Sequence, residues 1–236
     1  MEKLYIKRLY KDKEICAWYV DGRVVNKKFV KDPRKKEFTN YGDFYDFDFI
    51  PKNEVWINQE YGKKEWKFFL KFLITRRQLI SEGKNYEEAN ILASKVEEKE
   101  RGKLKLVKKL KNVKNIEEIY KRVHKKLLKE YNGKVKIWVV RGYLVRSLFF
   151  LDFVQGGHDE VYKFIPKNEV WIDDAISKKE IKYVLVHELH ERILMKKGYS
   201  YERAHEKSII LEYFLRKNPK KINKVLKQKL KQNNSL

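Results

Sequence analysis

The chain has 236 residues, of which 42% are hydrophobic and 14% aromatic, so it can form one large or two small globular domains and is too apolar for a disordered protein. Its single cysteine, Cys16, excludes an intramolecular disulfide and a cysteine-rich zinc site, and any zinc ligands must therefore be His, Asp or Glu. No stretch approaches the roughly 18 uncharged apolar residues of a membrane span, and the charged N-terminus lacks an apolar signal region, so we expect a cytoplasmic protein with no membrane partner.

The formal net charge of +23 is the strongest feature of the composition. Richness in lysine and glutamate is typical of hyperthermophilic proteins, in which ion-pair networks stabilise the fold. That habit would raise both signs together, whereas here 56 basic residues stand against 33 acidic ones. The excess favours an anionic partner, most often nucleic acid. A general basic bias of the proteome is the alternative.

An internal duplication organises the sequence. The nine residues FIPKNEVWI occur twice, and the same register extends into the following segments, where Gly83 meets Gly198. After a length difference of five residues, the upstream segments also align, with Trp18 opposite Trp138. The aligned segments are 15–25 with 135–145, 49–57 with 164–172 and 63–90 with 178–205.

The duplication predicts an α+β fold of two tandem pseudo-repeats, each a small antiparallel sheet or hairpin with two helices. In chain order, we expect a first repeat with a degenerate site at 1–101, a basic connecting helix at 102–132, a second repeat with the candidate site at 133–216 and a basic C-terminal tail at 217–236.

Within each repeat, two β-rich runs flank a turn-like pair, Asp21-Gly22 or Arg141-Gly142, which predicts a hairpin. A strand ending in Val-Trp-Ile follows. In the first repeat, the apolar periodicity then predicts helices near 63–82 and 86–100.

In the second repeat, Ser177 and Glu180 match a capping box that would open the first helix, and Gly198 would end it. Ser200 can cap the next helix, which should end before Pro219.

Two basic segments have no partner in this alignment. Asn115 with Glu118 predicts a basic amphipathic helix that continues to about Tyr131, and its lysine face either contacts phosphate or is a solvated surface. The tail predicts a short basic helix that either frays into solvent or binds an acidic partner.

The histidines distinguish the two repeats. Residues needed only for folding should be present in both copies, but the second repeat carries a polar cluster that the first one lacks, which favours a functional site in the second repeat alone. The aligned pairs are His158 with Asp43, His187 with Phe72, Glu188 with Leu73, His190 with Thr75, Glu191 with Arg76 and His205 with Asn90.

The spacing within HELHE predicts a metal site. His187 and Glu191 are i,i+4 neighbours on one helix face, and an antiparallel return of the next helix would bring His205 to them. Two histidines and a glutamate with an open fourth position are typical of catalytic Zn²⁺, and Mn²⁺ or Fe²⁺ would also be accepted. Glu188 follows the first ligand, as the general base does in H-E-x-x-H metallopeptidases.

Other interpretations stay open for these residues. The whole pattern could be a charged helix surface. His190 is either an alternative ligand or a group behind the ligands, and His158 either points at the site or is an ordinary loop histidine. His124, on the expected connecting helix, is a structural or surface residue.

The second repeat resembles a family of small proteins of phages and archaeal mobile elements. The shared pattern is G-G-H, then F-I-P-x-N-E-[IV]-W-I-D, then H-E-x-x-E-R-x-L-M-x-x-G-x-S-Y-x-x-A-H, and it covers most of 135–206. The first repeat matches only the F-I-P-K-N-E-V-W-I part, so the resemblance transfers no site to it. The resemblance implies no particular activity, and the likeness to minimal zincin-type metallopeptidases is an analogy. The matching positions are His158, Asn168, Glu169, Trp171, Asp173, His187, Glu188, Glu191 and His205.

The function we expect is that of a metal-dependent hydrolase of minimal metallopeptidase type, with a protein or peptide substrate and with nucleic acid bound by the lysine-rich surfaces. A metal-dependent nuclease would explain the charge, but magnesium nucleases commonly use more Asp and Glu than histidine. A non-enzymatic nucleic-acid-binding protein of a virus or plasmid is the third possibility, with any metal structural.

Overall fold

The computed structural model describes residues 3–32, 35–131 and 133–236. The chain divides into two compact units. The first contains most of residues 1–114 together with Arg146–Leu151, and the second contains mainly Asn115–Val145 and Asp152–Leu236. Within the described ranges, no helix combines the length and the apolar composition that crossing a membrane requires.

The first unit consists of four strands and four helices among the described residues. Its strands are β1 (Tyr5–Lys11), β2 (Cys16–Val20), β3 (Tyr41–Asp43) and β4 (Glu54–Asn58). Its helices are α1 (Gly22–Phe29), α2 (Gln59–Ser81), α3 (Tyr86–Gly102) and α4 (Lys105–Lys111).

The second unit has the same order of elements, preceded by one short helix, and its last helix is longer than that of the first unit. Its strands are β5 (His124–Leu127), β6 (Lys136–Val140), β7 (Gly156–His158) and β8 (Glu169–Asp173). Its helices are α5 (Ile116–Val123), α7 (Ile181–Lys196), α8 (Tyr201–Lys217) and α9 (Ile222–Asn234), together with the first residues of α6 (Gly142–Leu148), whose last three residues belong to the first unit.

The two sheets share one topology, which confirms the predicted α+β class with tandem sheet-and-helix units. The strand orders are β1-β2-β4-β3 and β5-β6-β8-β7. The expectation of antiparallel sheets is wrong, since each sheet is mixed, with a parallel central pair and antiparallel outer pairs. In the central pairs, Trp18 stands opposite Trp56 and Trp138 opposite Trp171.

The repeated nonapeptide builds the same core contact in each unit. Trp56 and Trp171 are almost completely buried. Their indole N–H groups donate to Glu54 and Glu169, at 2.6 and 2.8 Å. A buried indole needs such an acceptor, so the Asn-Glu-Val-Trp sequence is explained by packing in both units.

The hairpins predicted at Gly22 and Gly142 are wrong, since a helix begins at each glycine. The preceding strand runs parallel to the Val-Trp-Ile strand, and parallel strands need a crossover connection rather than a tight turn. A Cβ at Gly22 would overlap the side chain of Asn58, and one at Gly142 would overlap the carboxylate of Asp173. Close packing therefore explains both glycines.

The predicted helical pairs are confirmed in both units, as α2 with α3 and α7 with α8. Gly83 and Gly198 follow the first helix of each pair with φ of 94° and 88°, a left-handed conformation that favours glycine. Ser200 caps α8 by accepting the N–H of Arg203.

The capping box at Ser177 is wrong, because α7 begins at Ile181 without a side-chain cap. Ser177 and Glu180 instead belong to a turn, in which the Glu180 N–H donates to the Ser177 carbonyl at 3.0 Å.

The basic connecting helix predicted at 102–132 is replaced by shorter elements. Asn115 does cap a helix, but α5 ends at Val123 and the chain continues as β5. The reason is tertiary, since β5 pairs with β6 and the His124 ring stacks on Trp138 with centroids 4.2 Å apart.

The C-terminal tail forms a helix, as predicted, but this helix packs on the second unit and does not fray into solvent. Ile222, Leu226 and Asn233 of α9 are buried, and α9 packs against α7. The Asn233 amide donates to the Leu189 carbonyl at 2.9 Å.

Candidate metal centre

Five side chains of the second unit meet in one place. His158 is the last residue of β7, three residues lie on α7, and His205 lies on the antiparallel helix α8. We call this group the histidine–glutamate cluster; its members are His158, His187, Glu188, Glu191 and His205.

Three of the predicted ligand atoms converge. His205 Nδ1 lies 2.7 Å from Glu191 Oε2 and 3.2 Å from His187 Nε2, and His187 Nε2 lies 3.5 Å from Glu191 Oε2. The structure thus brings together His187, Glu191 and His205, which the sequence predicted as metal ligands.

A second triad shares Glu191 with the first. Glu191 Oε1 lies 3.2 Å from His158 Nε2, and a ligand atom of Glu188 completes a group whose atoms all lie within 4.8 Å of one another. His158 therefore points into the site, and it is not an ordinary loop histidine. A Cβ at Gly156 would come to 3.1 Å from Glu188 Oε1, so the glycine leaves room for this carboxylate.

The cluster is buried at its base and open at one side. His158 is fully buried, and Glu188 and Glu191 are 8% and 3% exposed. In contrast, 40% of the His205 side chain is exposed. Solvent can therefore reach the site from the side of α8.

The electrostatics separate the two glutamates. Burial, together with the nearby charge of Glu191, raises the pKa of Glu188 to about 8. Burial also opposes ionisation of Glu191, but its hydrogen bonds with His158, His187 and His205 hold the pKa of Glu191 well below its ordinary value. Glu191 is therefore the permanent anion of the cluster, and Glu188 is the carboxylate that can hold a proton.

A buried arginine ties the two supporting elements together. Arg192, next to Glu191, donates to Asp159, next to His158, at 2.6 Å. It also donates to Asn168 at 2.9 Å and to Asn233 at 3.0 Å. This network fixes the end of β7 against α7.

Glu212 of α8 stands behind His187, and sequence reasoning missed it. Its Oε2 lies 2.9 Å from His187 Nδ1. Burial raises the pKa of Glu212, but the hydrogen bond with His187 and the charge of Arg216 outweigh it and lower that pKa to about 2. The repeat register aligns Glu212 with Glu97 and Arg216 with Arg101, so nothing in the sequence comparison distinguishes Glu212 from a residue needed for folding.

The other two histidines lie elsewhere. His190 Nδ1 is 3.1 Å from Lys229 Nζ on α9. Burial and the charge of Lys229 lower the pKa of His190 to about 4. His124 lies 3.0 Å from Glu169 and stacks on Trp138, which is a structural role.

In the first unit, a cationic side chain occupies the equivalent place. The Arg76 guanidinium donates to Asp43 at 2.7 Å, to Asp46 at 2.9 Å and to Asn90 at 3.1 Å. Arg76 is only 2% exposed. The aligned pairs are Asp43 with His158, Arg76 with Glu191 and Asn90 with His205.

Comparison with known proteins adds no assignment. The chain matches no family model, and neither the curated proteins nor the solved structures include one that is similar to it.

Proposed function

We propose that the second unit binds one divalent metal ion through His187, Glu191 and His205 and that it is a metal-dependent hydrolase of minimal metallopeptidase type. The observation that carries the proposal is the internal comparison. The first unit holds a built-in cation, the Arg76 guanidinium, among residues aligned with the candidate ligands. The second unit replaces that arginine with a glutamate and surrounds it with histidines.

The ligand spacing fits a single ion. Three ligands around a tetrahedral zinc ion, each about 2.0–2.1 Å from the metal, stand about 3.3 Å from one another. The corresponding separations here are 2.7, 3.2 and 3.5 Å. The set of two nitrogens and one carboxylate oxygen suits Zn²⁺ and is compatible with Mn²⁺ or Fe²⁺.

The residues around the triad suit hydrolysis. A bound zinc ion supplies Lewis acidity and makes a neighbouring water more acidic. Glu188 lies beside the triad, where its carboxylate can accept a proton from such a water as a general base. The exposed side of His205 gives a substrate access to the fourth coordination position. His158 holds the second oxygen of Glu191 and so orients that ligand.

Nucleic-acid binding is a second candidate function, and helix α9 favours it. Residues 213–236 contain eight Lys or Arg and no Asp or Glu. Because α9 buries its apolar side against α7, it exposes Lys224, Lys227 and Lys231 along one face. A row of lysines of this kind suits a phosphate backbone.

The metal content of the purified protein tests the first proposal. We expect about one equivalent of zinc per chain, which His187→Ala and His205→Ala should abolish because each removes one of three ligands. His190→Ala is the matched control from the same helix, and it should retain the metal. Two equivalents, or a full equivalent in both ligand variants, would contradict the site.

Glu188→Gln tests the chemistry. The amide keeps the shape of the side chain but cannot accept a proton, so metal content and melting temperature should stay close to wild type while hydrolysis is lost. The assays are cleavage of an unstructured protein and of single- and double-stranded nucleic acid. Loss of metal from Glu188→Gln would show that Glu188 is a ligand. Unchanged turnover would show that Glu188 is not the general base. If the wild type cleaves none of these substrates, the binding function replaces the enzymatic one.

A further inference from the structure

We infer that Glu212 is a positioning residue, which fixes the ring of His187 so that its Nε2 faces the metal. This inference rests on the proposed metal site and deepens it.

The first step is the protonation of the His187 ring. An ionised carboxylate only accepts hydrogen bonds, so across the 2.9 Å contact His187 Nδ1–H must donate to Glu212 Oε2. With the proton on Nδ1, the lone pair of a neutral ring is on Nε2. That nitrogen is the one that faces His205 and Glu191, at 3.2 and 3.5 Å. The contact therefore selects the tautomer that can bind a metal.

The second step is how Glu212 is itself held. Its other oxygen, Oε1, accepts from Nε and Nη2 of Arg216, at 3.0 and 2.7 Å. Arg216 Nη1 also donates to Glu180 at 2.6 Å. The carboxylate is 9% exposed and clamped by a fork of donors, so its Oε2 has a fixed direction toward His187.

The first unit provides an internal control for the role of Glu212. The first unit has the same ion-pair triad, in which Arg101 donates to Glu97 at 2.8 Å and to Glu65 at 2.6 Å. There, the position of His187 is taken by Phe72. The triad is therefore a structural element of both units, and only the second unit uses it to orient a histidine.

Glu212→Gln and Glu97→Gln are matched variants that separate positioning from folding. Both weaken a buried ion-pair triad, so both should lower the melting temperature. Only Glu212→Gln should weaken metal binding, by about 10- to 100-fold, the usual effect of removing a carboxylate behind a histidine ligand. Affinity for zinc is measured by competition with a chromophoric chelator, and the visible spectrum with cobalt reports the ligand geometry.

Each outcome decides a different point. If the wild type binds neither zinc nor cobalt, the metal site itself fails. If the wild type binds but Glu212→Gln has the affinity of Glu97→Gln, the metal site stands and the positioning role is overturned. If Glu212→Gln does not fold, Glu212→Asp replaces it in the test, because aspartate keeps the charge on a shorter side chain. Weaker binding by Glu212→Asp supports the role, and wild-type affinity overturns it.

Discussion

At the scale of single residues, one pair of aligned positions has opposite charges in the two units. Arg76 of α2 in the first unit and Glu191 of α7 in the second occupy aligned positions on equivalent helices. Both are buried and both are surrounded by polar groups. A buried charge needs a partner of opposite sign. In the first unit, both the cation and its anionic partners are side chains of the protein itself. The second unit supplies the anion, and we propose that a bound metal ion takes the place of the arginine there.

Arg76→Ala should destabilise the first unit strongly. Asp43 and Asp46 would lose a buried partner, and breaking a buried pair in this way costs about 3–5 kcal/mol. Urea unfolding measures the loss. The control is Arg23→Ala, because the Arg23 side chain, which pairs with Asp21, is 58% exposed, and ion pairs at the surface contribute at most about 1 kcal/mol. A loss of similar size in both variants would contradict the buried ion pair.

The loss of stability in Arg76→Ala should depend on pH. Burial and the charge of Asp46 already raise the pKa of Asp43, although Arg76 opposes the shift. Without Arg76, both carboxyl groups should have folded-state pKa values above their unfolded ones, so their ionisation destabilises the fold as pH rises. The deficit of Arg76→Ala should therefore be smaller at about pH 4 than at pH 7. A deficit that is constant across this range would mean that neither carboxyl group changes its protonation.

At the scale of elements, the helical pairs could be predicted because their signals are local. Gly83, Gly198 and the Ser200 cap act within one turn of chain, and the structure confirms all three. Gly22 and Gly142 were misread because their constraint comes from the neighbouring parallel strand, to which no local pattern points. Parallel pairing between β2 and β4 joins residues almost 40 positions apart.

The candidate site, like the fold, could be predicted where its contacts follow from local helix geometry. His187 and Glu191 meet through helix periodicity, and His205 joins them because α7 and α8 form an antiparallel pair. His158 was left undecided, since its approach depends on how β7 packs on α7. Glu212 was missed because it is identical to Glu97, and a residue kept in both repeats suggests folding alone.

The strand β5 shows how tertiary structure overrides helix periodicity. Its first residue, His124, occupies the place of Tyr5 in β1, since they face Val140 and Val20 in their sheets. Both side chains contact the glutamate of the repeated motif, Tyr5 donating to Glu54 at 2.9 Å and His124 lying 3.0 Å from Glu169. Two different residue types therefore fill one structural position, which an alignment by identity could not detect.

Leu226→Ala tests whether α9 belongs to the folded second unit. Leu226 is 3% exposed, and α9 packs on α7, so the substitution should cost about 2–5 kcal/mol through reduced burial and a cavity. Its exposed neighbour provides the control, Lys227→Ala, which should change stability by less than about 0.5 kcal/mol. Equal stability of both variants in urea unfolding would contradict the packing of α9 on α7.

At the scale of the whole molecule, the charge is concentrated in segments rather than spread evenly. Residues 213–236 contain eight of the 56 basic residues and none of the 33 acidic ones. Arg216 belongs to the ion-pair triad with Glu212 and Glu180, but ion-pair networks require both signs, and residues 217–236 contain no acidic residue for their lysines to pair with locally. Lys229 lies against His190, whereas Lys224, Lys227 and Lys231 are exposed on the outer face of α9. We therefore propose the outer face of α9 as a surface for a polyanion.

Nucleic-acid binding by this face should depend steeply on salt and only weakly on sequence, because lysines that neutralise phosphates release counterions and do not read bases. Reversing the charge of Lys224, Lys227 and Lys231 to glutamate should lower affinity for duplex DNA, and the slope of log K against log salt should fall by about 0.9 for each phosphate that is no longer neutralised. Fluorescence anisotropy between about 50 and 200 mM salt measures both quantities.

The matched control reverses three exposed lysines of β1 and its turn, Lys7, Lys11 and Lys13, which changes net charge equally without touching α9. If the two triple variants show the same decrease in affinity and slope, binding reflects net charge and not the α9 face. If the wild type ignores DNA and RNA at about 50 mM salt, the lysine excess has no nucleic-acid function.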